Sequence, residues 1–120
     1  MADKVRLHVA REVRAVRLLN PTAHIVVLDY WAAMEDGAVA RREYDAHALR
    51  AAEEATDYLN SAIAKAARIA HAIVVSTMRA FKGADGHGDP TSLLAADGDH
   101  PNARGHKVIA HAVKAVLPKG

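Results

Sequence analysis

Between Asp3 and Leu19 apolar side chains recur every three or four residues, at Val5, Val9, Val13 and Val16, with Lys4, Arg6, Arg11, Arg14 and Arg17 among them. That spacing predicts an amphipathic helix with Asp3 as N-cap, stopped at Asn20-Pro21. The period then changes. His24 to Trp31 is a short β-branched run without helical repeat, the pattern of a buried parallel strand. After Asp36-Gly37 the helical period returns. Alanines, Leu49, Leu59, Ile63 and Ile69 carry its apolar face to about His71, with a candidate break near Asp57. Ala72 to Thr77 reads as a second strand and Gly83 to Asp89 as a Gly/Asp-rich loop. Asn102, a good N-cap, opens a last helix over roughly Ala103 to Leu117, ended by Pro118 and Gly120.

This order predicts an α/β fold wound in parallel, with strands at about 24–31 and 72–77 flanked by helices. Two parallel strands make a thin sheet, because parallel sheets usually have several members covered on both faces. The first strand has the composition of a central one yet has a single partner here. Residues 1–120 therefore read as one portion of a larger domain. Its unpaired strand edge invites association, including with a second copy of the chain.

Composition narrows the function classes. With 51% hydrophobic and 25% charged residues the chain suits a globular domain, and its 120 residues allow one at most. A formal charge of +2 argues for neither nucleic acid nor an anionic membrane. The arginines of the first helix are diluted by Asp3 and Glu12 and have no interleaved aromatics for base stacking, so no nucleic-acid partner is expected. Without cysteine there is no disulfide framework and no thiolate metal site. Charges are scattered from Met1 to Leu19, so no signal peptide is expected, and no run approaches the ~20 apolar residues of a membrane span. As written the chain is expected in the cytoplasm; a longer parent could be secreted.

The densest chemistry lies in Asp97-Gly98-Asp99-His100-Pro101-Asn102-Ala103-Arg104-Gly105-His106. Asp, Asn, Gly and Pro before a helix are also what an ordinary capped turn requires. Three residues apart across a tight turn, however, Asp97 can place its carboxylate against Nδ1 of His100, which leaves Nε2 free to accept a proton. Asp99 is expected to point elsewhere.

This block, from Leu93 to Ala110, resembles the last sequence block of SGNH hydrolases, the GDSL esterase and lipase family: Asp-x-x-His-Pro-Asn, then Gly-His and an apolar helix. Asn20 to Leu28 is similar to that family's fourth strand and its lead-in. Tyr58-Leu59-Asn60, Ala72 to Val75 and Phe81-Lys82-Gly83 resemble the helix and fifth strand before its catalytic loop. The resemblance implies the C-terminal portion of a three-layer α/β/α, flavodoxin-like domain. It implies a serine ester hydrolase, carboxylesterase- or lipase-like, with Asp97 as orienting acid, His100 as general base, an ester as substrate and no metal or organic cofactor.

The nucleophile block of that family does not occur in these residues. There is no Gly-Asp-Ser and no Gly-x-Asn-Asp segment, and Gly88-Asp89 runs into Pro90. The serines present are Ser61, read in a helix, Ser76, read in a strand, and Ser92, read in a loop. The chain alone is therefore expected to be inactive. Two non-catalytic alternatives stand beside this reading. One is an oligomerising module built on the long alanine-rich helix. The other is a metal-binding module using histidines with the carboxylates of Asp85-Gly86-His87-Gly88-Asp89 and Asp97-Gly98-Asp99-His100, although neither run has an established metal-ligand spacing. His8, His47, His71 and His111 are read as helical positions.

Overall fold

A computed structural model describes residues 1–119. In chain order the elements are α1 (Ala2–Leu19), β1 (Val26–Leu28), α2 (Gly37–Glu43), α3 (Ala46–Ile69), β2 (Ile73–Val75), α4 (Thr77–Lys82), a 3₁₀ turn (Thr91–Leu93) and α5 (Ala103–Val116). The fold is α/β, and β1 and β2 pair in parallel with Val26 opposite Ile73 and Leu28 opposite Val75. Helix α3 packs on both strands and α1 lies along α3; α5 packs on β2, α4 and the 3₁₀ turn. Val13 of α1 and Ile63, Ala66 and Ala67 of α3 are buried. Alanine at this crossing lets the two helices approach closely, and it replaces large core side chains.

Several boundaries differ from the sequence expectation, each for a local reason. Helix α1 begins before Asp3, with Met1 at the cap position and no side-chain cap. Asp3 sits in the first turn, where a carboxylate meets the positive end of the helix, and pairs with Arg6 at 3.2 Å. The long central helix breaks at Tyr44-Asp45 rather than near Asp57. Asp45 caps α3 by accepting the Ala48 N–H at 2.8 Å, whereas Asp57 is an exposed mid-helix residue. His71 is not helical; it follows α3 with φ of 60°.

Both strands are shorter than expected, and β1 is half-buried rather than enclosed on both faces. Beyond Leu28 the backbone turns away. The Asp29 N–H still donates to the Val75 carbonyl at 3.1 Å, while the Asp29 side chain accepts from Thr77 Oγ1 and from the Met78 N–H. Ser76 is consequently not a strand residue: it caps α4, an element that periodicity alone did not predict, by accepting the Arg79 N–H. Among the described residues β1 pairs only with β2, so its other edge is open. No helix there is long and apolar enough to cross a membrane.

The segment leaving β1 is fixed from below by buried polar groups of α3. Asn60 Oδ1 accepts the Tyr30 N–H at 3.0 Å and its Nδ2 donates to the Tyr30 carbonyl at 2.7 Å. Thr56 Oγ1 accepts the Ala33 N–H at 2.9 Å. Trp31 stacks on Phe81 of α4 with ring centroids 4.8 Å apart. These contacts hold the connection from β1 to α2 over the C-terminal ends of the strands, the rim where open α/β folds carry their sites.

Candidate functional site

The Asp97 turn is built on that rim. Leu94 and Pro101 form an antiparallel bridge at its base, and the Ala95 N–H donates to the His100 carbonyl at 2.7 Å. Asn102 closes it from the helix side. Its Oδ1 caps α5 through the Gly105 N–H at 3.0 Å, and its Nδ2 donates to the carbonyls of Ser92 and Leu94, both at 3.0 Å. Gly98 has φ of 72° and lies against Val39, so the turn is locked between α2 and α5.

Within this frame His100 Nδ1 lies 2.7 Å from Asp97 Oδ2. The other carboxylate oxygen accepts the backbone N–H groups of Asp99 at 2.9 Å and His100 at 3.0 Å. Those two N–H bonds are the first causes holding the Asp97 carboxyl down at about 2, with the imidazole bond adding to them. The Asp97 bond and charge raise the His100 pKa above its ordinary value, with a contribution from Asp99. Asp99 is not wholly turned away: its Oδ2 is 3.8 Å from the same Nδ1, too long for a hydrogen bond. The His100 side chain is 75% exposed and that of Asp97 51%. With Nδ1 occupied, Nε2 is the nitrogen left to accept a proton, in an imidazole whose basicity is increased.

The serines are not assembled with this pair. Ser61 is exposed on α3, Ser76 caps α4, and Ser92 lies in the 3₁₀ turn rather than in an irregular loop. None of their hydroxyls hydrogen-bonds to His100 among the described residues. The histidine–carboxylate runs do not form a metal shell either. Asp85 Oδ1 accepts the His87 backbone N–H, His87 Nδ1 meets Glu53 at 2.8 Å, and Asp89 is held by Thr91 and Arg41. Among the described residues no three His, Cys, Asp or Glu side chains converge to hold an ion.

The structure also brings together a feature that local sequence did not announce. Beside the Asp97 turn, α2, α3 and the segment 83–90 enclose an open cleft of about 220 Å³. Met34, Leu49 and Pro90 contribute apolar wall, and two ion pairs border it, Asp36–Lys82 at 2.6 Å and Arg41–Asp89 at 2.9 Å, with the Glu53–His87 contact beside them. The Asp89 carboxyl is lowered to about 2, first by the Thr91 hydroxyl and N–H and then by Arg41. Of the Asp85–Asp89 run, Gly86, His87, Gly88 and Asp89 line this cleft.

No family model matches the chain, and no curated protein matches it. It is similar to the crystal structure of LAE5, an alpha/beta hydrolase enzyme from the metagenome of Lake Arreo, Spain. The identity is 23% and the TM-score 0.59, over 96% of this chain and 46% of that one. The likeness establishes a partial α/β fold, and the chain spans less than half the length of that structure.

Proposed function

We propose that residues 1–120 form the C-terminal portion of an SGNH-type serine ester hydrolase domain, contributing the acid and the general base but not the nucleophile. The observation that carries this reading is the 2.7 Å contact between Asp97 and His100 Nδ1 within one turn at the sheet rim. An imidazole anchored through Nδ1 by a carboxylate that itself has backbone donors is the arrangement that activates a serine hydroxyl. The spacing of acid and base within a single Asp-x-x-His turn favours the SGNH type, and the chain order of acid before histidine agrees with it. The hydrolase named in the similar structure supports the same chemistry at a coarser level.

Catalysis needs two further parts, an activated hydroxyl and oxyanion donors, and losing one such donor alone typically costs about 10²–10³ in rate. The open edge of β1 is where strands carrying those parts would join the sheet. The purified 120-residue chain is therefore expected to show neither fluorophosphonate labelling of a serine nor saturable hydrolysis of a p-nitrophenyl ester. An in-frame Gly-Asp-Ser in the genomic DNA upstream of the Met1 codon is the expected companion finding. Labelling of Ser61, Ser76 or Ser92 with turnover would overturn the division of labour proposed here.

A further inference from the structure

The Asp36–Lys82 ion pair lies at the cleft edge that adjoins the Asp97 turn. Its side chains are only 19% and 14% exposed, whereas Arg41 and Asp89 stand more than half in solvent. Lys82 Nζ is 2.6 Å from Asp36 Oδ2, and that buried oxygen has no other partner among the described residues. Asp36 Oδ1 caps α2 through the Gly37 N–H at 2.7 Å. The Asp36 backbone N–H donates to the Gly98 carbonyl at 2.8 Å, immediately after Asp97 in the chain. Gly98 in turn is pressed against Val39 of the helix that Asp36 caps, where an added Cβ would lie 2.5 Å from the valine Cβ. Lys82 also anchors the cleft-lining segment, because its carbonyl accepts the Gly88 N–H at 2.7 Å.

We propose that the Lys82–Asp36 pair is a positioning element for the Asp97–His100 pair. It fixes the backbone of Asp36, and through it the Gly98 carbonyl and the angle at which the Asp97 carboxylate meets the imidazole. Its service to a general base rests on the functional reading above; the mechanical coupling does not. Removing Lys82 leaves the Asp36 carboxylate buried and uncompensated, a strongly unfavourable state that the side chain escapes by rotating toward solvent. That rotation releases the side-chain cap of α2, and with it the restraint on the Asp36 backbone whose N–H holds the Gly98 carbonyl. The charged groups facing His100 are Asp97 and Asp99, and Glu35, bonded to the Tyr44 hydroxyl, is within electrostatic reach of Asp97.

The sign of one measurement separates positioning from a direct charge effect. Loss of a nearby cation acting only through its field would raise the histidine pKa; loss of the carboxylate partner lowers it. In Lys82→Met, titration of the His100 imidazole by NMR is expected to give a pKa moved down toward the ordinary value near about 6.5. Lys82→Arg is expected to restore the wild-type value, and Arg41→Gln, which breaks the exposed neighbouring pair, to leave it in place. Should Lys82→Met not fold, Lys82→Gln, whose amide still donates to Asp36, is expected to lower the value by a smaller amount. An unchanged or raised His100 pKa in the folded variant overturns the proposal. Because the readout is the imidazole and not ester turnover, the positioning role can fail while the acid–base reading stands, and the reverse.

Discussion

In a hydrolase that contains this turn together with its serine and oxyanion donors, His100→Ala is expected to lower kcat by about 10⁶ and Asp97→Asn by about 10⁴. The difference follows from the geometry. Alanine removes the proton acceptor outright. Asparagine keeps the shape, but its amide can present N–H₂ to Nδ1, which forces the proton onto Nε2, the nitrogen that should receive it. It also removes the anion that stabilises the imidazolium as the proton arrives. Asp99→Asn is the matched control, since its Oδ2 stands 3.8 Å from Nδ1 and makes no hydrogen bond there; its kcat should stay within several-fold of wild type. Steady-state kinetics on a soluble p-nitrophenyl ester measures all three. Near-normal turnover in Asp97→Asn, or a collapse confined to Asp99→Asn, would assign the acid wrongly.

Gly98→Ala is expected to destabilise the fold by about 2–5 kcal/mol, combining left-handed backbone strain of about 1–2 kcal/mol with overpacking of about 1–3 kcal/mol. Gly98 has φ of 72°, and the new Cβ would sit 2.5 Å from Val39 Cβ and 2.8 Å from its Cγ2. Neither atom lies at the far end of a flexible chain, so α2 or the turn must move. Gly86→Ala separates the two contributions. Its φ is 77°, yet only the flexible end of the Met78 side chain comes within 4 Å, at ordinary contact distance, so it should lose only about 1–2 kcal/mol. Equal melting temperatures for the two variants would show that the Asp97 turn is not held against α2 as described.

What the sequence disclosed and what it withheld divide along a physical line. Interactions between near neighbours were legible. Val5, Val9 and Val13 marked α1, the β-branched runs marked both strands, and Asn102 marked the start of α5, because periodicity and capping act over three or four residues. The Asp97–His100 contact belongs to the same class. The break at Tyr44-Asp45 was harder to see, since an alanine-rich face continues its period through the interruption and only the cap at Asp45 betrays it. Helix α4 was hidden because Ser76-Thr77 suits a strand end as well as a helix start. The cleft and the Lys82–Asp36 pair were not legible at all. Asp36 stood only at the turn before a helical period and Lys82 only within the Phe81–Gly83 run, 46 positions away, and the fold alone brings them together and takes them largely out of water. For the same reason the Asp85–Asp89 run suggested a metal loop, while its partners Glu53 and Arg41 lay on other elements.

The Asp97–His100 pair also carries a pH signature with two limits. A carboxyl lowered to about 2 contributes stability above its unfolded value of about 3.9, lost as pH falls through the folded pKa. A raised histidine contributes stability below its unfolded value of about 6.5, lost as pH rises through the folded one. The ionic pair is thus strongest between about pH 4 and 6.5, and above that window the neutral imidazole keeps the bond to Asp97 by holding its proton on Nδ1. Nitrogen-detected NMR of His100 in the 120-residue chain reads this directly. At a pH above its titration, the expected spectrum shows the proton on Nδ1, an unprotonated Nε2 and a midpoint above that of an ordinary histidine. A proton on Nε2, with a midpoint unaffected by Asp97→Asn, would contradict the assignment of this pair as oriented acid and base.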